Sequence, residues 1–114
     1  MIFGRRFGAL IDRQLDLFEQ DNADLFERLE DADDDYRRAG REEAEERFGD
    51  LQDLFEEGAE TLAELRDSYA ETLDDAAAEE YTGAFDLAVG RRFPAFALAL
   101  AGDDDEEDDE EPGD

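Results

Sequence analysis

IDRQLDLFEQDNADLFERLEDADDDYRRA, residues Ile11–Ala39, decides the fold. Its apolar positions are Ile11, Leu15, Phe18, Leu25, Leu29, Ala32, Tyr36 and Ala39, spaced alternately by four and three except for one slot filled by Asn22. That interval gathers side chains on one side of an α-helix, whereas a half-buried strand alternates every second residue. The stretch therefore reads as an amphipathic helix over about 9–39. Its start has two readings. The helix begins near Ala9, or it begins later with Asp21 or Asn22 as cap, leaving a free arm before it.

Gly40 ends this helix. Arg37 and Arg38 precede it, where cations favour the negative end of a helix dipole; Glu42, Glu43, Glu45 and Glu46 follow, where anions favour a helix start. The string Tyr36 to Ala44 resembles the turn inside a tetratricopeptide repeat, but no second copy occurs, so it marks only a helix-turn-helix. Beyond it, Phe48, Leu51, Phe55, Leu62, Leu65, Tyr69 and Ala76 continue a helical stripe, with Leu54 and Leu73 widening it. A second helix over about 41–73 is expected, antiparallel to the first. Gly49 and Gly58 each cost a helix about 1 kcal/mol against alanine, so a bend or a close contact is expected there. A rival reading breaks the chain at Gly58–Thr61 and carries the first helix through Gly40.

Asp74 or Asp75 caps a third helix over about 75–91, with Ala78, Tyr81, Phe85 and Ala88 as its buried stripe. The apolar segment 93–101, extended or briefly helical, crosses back over the hairpin. The expected fold is all-α: a long antiparallel helical hairpin plus a third, shorter helix, in one domain spanning 1–102. Asp103–Asp114 carries ten acidic residues and reads as a disordered acidic C-terminal tail. Broad apolar faces on so slim a bundle suggest a partner helix, and a homodimer would supply one.

Of the formal net charge of −27, the tail accounts for ten charges, leaving −17 on the body. Such a surface repels phosphates and anionic membranes, arguing against direct nucleic-acid binding, and attracts basic partners. Every basic residue is arginine, as expected from a GC-rich genome or a salt-adapted host. With no cysteine and no histidine there is no disulfide, no thiol chemistry and no metal site built on those ligands. No run of residues reaches the ~20 apolar positions of a membrane span, and the first residues lack a secretory apolar run, so a cytoplasmic location is expected.

One short motif carries a specific meaning. Gln14-Leu15-Asp16-Leu17-Phe18 resembles the pentapeptide by which many bacterial DNA polymerases and repair proteins dock on the sliding clamp. The resemblance covers five residues of the chain. It implies that Gln14 anchors by hydrogen bonds while Leu15, Leu17 and Phe18 fill an apolar pocket on the clamp, with Asp16 at a tolerant position. Leu15 and Phe18 also belong to the helical stripe, and a helical peptide cannot enter such a pocket in extended form.

Asp31, Asp33, Asp35 and Glu42 have the spacing of some calcium-loop ligands, but Tyr36 stands where the loop requires glycine and three arginines crowd the site. The glutamates after Gly40 lack the histidines of carboxylate-bridged metal bundles. No nucleophile–base pair and no phosphate loop is present, so no enzymatic activity and no cofactor is expected. The expected function is that of a small acidic, non-enzymatic interaction or adaptor protein. The alternatives are a clamp-docking accessory protein and a DNA mimic.

Overall fold

A computed structural model describes residues 6–101, and every regular element among them is helical. Helix α1 spans Gly8–Asp21, α2 Ala23–Arg38, α3 Arg41–Ala70 and α4 Asp75–Arg92; a short α5 occupies 94–101. None of these is long and apolar enough to cross a membrane. The acidic tail expected over 103–114 lies outside the described residues.

The single helix expected over 9–39 is two. Asn22 leaves helical geometry at φ −117°, ψ 35°. Its side-chain amide donates to the Phe18 carbonyl at 2.8 Å, and its backbone N–H donates to the same oxygen at 3.0 Å, while its own carbonyl accepts from Leu25 and Phe26. Short amide side chains compete with the backbone ladder in this way. The polar residue in an apolar slot thus sits at a bend, and its side chain helps satisfy the end of α1.

The turn expected at Gly40 is present: Ala39 closes α2 and Gly40 opens α3, both with extended backbone. Helix α3 continues through Gly49 and Gly58 unbroken. The second difference from expectation concerns pairing. Only the first half of α3 lies antiparallel to α2, with Arg28 and Glu57 3.0 Å apart and the Tyr36 and Phe48 rings at 5.6 Å. Its second half lies antiparallel to α4, joined by Arg66 to Asp86 at 2.9 Å and by the Tyr69 and Tyr81 rings at 4.8 Å. One long hairpin is therefore replaced by two successive ones that share α3. The bend at Asn22 carries α1 away from α3 and onto α4, where Gln14 meets Tyr81 and Arg92 reaches Asp16 and Glu19.

Asp74 caps α4 by accepting from the Ala77 N–H at 2.8 Å. The buried stripe of α4 is Ala77, Tyr81, Phe85 and Val89, rather than the expected Ala78, Tyr81, Phe85 and Ala88, which leaves Ala78 and Ala88 half-buried. A strict four-residue interval drifts around a helix, and α4 needs that wide arc because both α1 and α3 pack on it.

The elements converge on an aromatic junction. Phe18, Phe26, Phe55 and Phe93 all lie with ring centroids 5.8–5.9 Å from Phe96, three of them edge-to-face. Gly58 explains how α5 can come so close. A Cβ at that position would lie 2.7 Å from Phe96 Cζ, so the ring rests where any other residue would project. Gly49, by contrast, has open space around it.

These contacts set the expected response to substitution. Gly58→Ala should destabilise the protein by about 1–3 kcal/mol through overpacking, and Phe96→Ala by about 3–5 kcal/mol. In the Phe96→Ala background, Gly58→Ala should turn neutral or favourable, a non-additivity readable in urea denaturation. Gly49→Ala should stabilise by up to about 1 kcal/mol.

Candidate interaction surface

The pentapeptide lies wholly on α1. Gln14 is half-buried and its Oε1 accepts from the Tyr81 hydroxyl at 2.8 Å. Leu15 and Phe18 are core residues, 1 % and 3 % exposed, whereas Leu17 is 48 % exposed. Asp16 pairs with Arg92 at 2.6 Å. The four residues named for clamp contact are thus split between core, a polar bridge and solvent. An extended docking pose requires α1 to unwind and to withdraw Leu15 and Phe18 from the core.

Burial pushes the Tyr81 hydroxyl above its ordinary value, and the hydrogen bond to Gln14 acts in the opposite sense. Hydrogen bonding to Asp16 foremost, and to Glu19, raises Arg92. Neither group is placed for proton transfer: Tyr81 is sealed in the core and Arg92 stays cationic.

Asp31, Asp33 and Asp35 fall in the last turns of α2 and Glu42 in the first turn of α3. A two-residue step on a helix turns by about 200°, so these aspartates cannot converge on one ion. Asp33 instead pairs with Arg37 at 2.9 Å and Asp34 with Arg38 at 3.4 Å. Among the described residues no group of three His, Cys, Asp or Glu side chains is arranged to hold a metal.

Two surface features went unread in the sequence. The first is a carboxylate row on α3: Glu42, Glu46, Asp50, Asp53, Glu57, Glu60, Glu64, Asp67 and, at its cap, Glu71, every one exposed. Their steps of three and four follow the helical repeat, so they form a straight line about 44 Å long. The line lies opposite Leu51, Ala59 and Leu62, which α3 buries. The signal was available, since the 3.6-residue period that marks apolar faces marks charged ones equally well.

The second feature is an apolar groove of about 190 Å³, lined by Phe26, Leu29, Phe55, Phe93, Pro94, Ala95 and Phe96. It opens beside α5, whose residues 94–101 include no polar side chain. Phe96 and Leu100 of α5 are buried, but Leu98 is 76 % exposed. Periodicity could not reveal the groove, because it joins residues from α2, α3 and the start of α5.

Compared with protein-family models, curated proteins and solved structures, the chain matches none.

Amide hydrogen exchange across Arg13–Glu19 should proceed only through unfolding of the core, and Phe18→Ala should cost about 3–5 kcal/mol. Tyr81 also dictates an alkaline limit. The unfolded chain ionises this hydroxyl near pH 10 while the folded chain still holds the proton, so stability is full below about pH 10 and falls as pH rises beyond it. Denaturation curves taken on either side of that pH should separate, and Tyr81→Phe should narrow the gap.

Proposed function

We propose that this chain is a non-catalytic helical interaction protein that engages basic partners through its acidic surface. The carboxylate row of α3 carries the reading. Nine anionic side chains stand in line on the face that the core does not use. Placing like charges three and four residues apart costs helix stability, about 0.2–0.5 kcal/mol for each such pair. Arginines offset part of this: Arg28 reaches Glu57, Arg47 lies near Asp50 and Arg66 meets Asp67. A complementary cationic partner would relieve the remainder, and long-range attraction would speed its encounter.

The regular spacing of anionic charge along the row favours DNA mimicry as a second reading. A strand of duplex DNA places a charge every ~3.4 Å along its axis, and the row places one about every 5.4 Å, in a line of comparable regularity. The two readings differ in what the partner does next. A mimic excludes DNA from its partner, whereas an adaptor binds a partner that keeps its DNA.

A labelled duplex carrying core histones as the basic protein tests both. At ~0.15 M salt the chain should bind the histones, with an effect that fades as salt rises. Release of free duplex supports mimicry; a ternary complex supports the adaptor. The fourfold variant Glu46→Gln, Asp53→Asn, Glu60→Gln, Glu64→Gln should bind more weakly while melting at a higher temperature than the parent. Binding by that variant equal to the parent's would remove the row from the mechanism.

A further inference from the structure

We infer that the apolar groove and the outward side of α5 form one docking strip for a basic amphipathic helix from a partner protein. The partner's positive charge rests on the reading given above; the location of the strip does not, since it lies away from the carboxylate row. Leu98 stands one turn beyond Pro94 and Ala95, both of which line the groove, so the side chains run on as a single surface. Pro94, Leu98 and Ala101 all face solvent. A helix apolar on every side belongs in an interior, yet this one is covered on one side only.

Charge decides the occupant. On α2, Glu30 follows Phe26 at a four-residue interval and extends that side of the groove with an exposed carboxylate, while Asp33, four residues beyond Leu29, is already paired with Arg37. In the sequence, ten acidic residues follow within Asp103–Asp114. A second copy would bring a net charge of −27 against the same charge, a repulsion that screening over about 8 Å only partly removes. An anionic lipid surface would be repelled for the same reason. A helix with an apolar stripe flanked by Lys or Arg satisfies both halves of the strip: its apolar anchors enter the groove and its cations meet the rim.

The probe is a labelled amphipathic Leu–Lys peptide of about 18 residues, roughly 27 Å as a helix. It is compared with a Ser–Lys peptide of equal charge and a Leu–Glu peptide of equal apolarity, by fluorescence anisotropy at ~0.15 M salt. Leu–Lys should bind at least about tenfold more tightly than either control. Leu98→Ser should weaken it about tenfold with unchanged helical circular dichroism, while Leu87→Ser, 64 % exposed beside Gly8 and Asp12, should not. Equal binding of the Lys peptides, or no effect of Leu98→Ser, would overturn the strip. So would a concentration-dependent dimer that Leu98→Ser abolishes, because the occupant would then be a second copy. The Leu98→Ser protein should still bind histones in the duplex assay; loss of that activity by the parent itself is the separate failure of the broader reading.

Discussion

Phe96 against Gly58 is the contact on which the arrangement depends. The ring occupies the space of a missing side chain on α3 and touches aromatic neighbours from α1, α2, α3 and the α4–α5 connection. Four separately encoded helical segments are referenced to one point. The core around it is built from apolar and aromatic side chains, and its polar exception is the Tyr81 hydroxyl, which is satisfied by Gln14. The surplus of negative charge is carried by side chains at the surface, as the exposed carboxylate row of α3 shows. Packing specifies the fold, and the charge is a load that the packing has to carry.

The parts of this architecture legible in sequence are those that depend on local chemistry. The turn at Gly40 could be read from arginines before it and glutamates after it. Asp74 could be read as a cap, because a short carboxylate before an alanine-rich run satisfies a free N–H. The bend at Asn22 was visible as an anomaly in the apolar stripe, yet an anomaly does not reveal which neighbour a redirected helix will choose. That α1 joins α4 rather than α3 depends on the hydrogen bond between Gln14 and Tyr81 and on the burial of Phe7, Ile11 and Leu15, contacts between distant parts of the chain. The groove was beyond reach for the same reason. The carboxylate row was not; it needed only a search for charge at the helical period.

The Gln14–Phe18 pentapeptide illustrates how a short motif and a helical stripe can coincide. Leu15 and Phe18 are required by the core whatever else they do, and Gln14 has a structural partner in Tyr81. Leu17, the apolar motif residue that the core does not claim, is left in solvent. The outer line of α3 and the surface around α5 lie apart from the motif, the first exposing anionic charge and the second apolar area.

The sharing of α3 between two hairpins bears on how the chain reaches this state. Each hairpin joins segments close in sequence, so both can close early at little loop entropy. The bonds that fasten α1 to α4 bridge 67 to 76 residues. They close the longest loop and reward it only once α4 is already formed. Because one rigid helix belongs to both hairpins, disorder in either half of α3 removes a wall from the other. A protein assembled from two local units should therefore lose its structure as one.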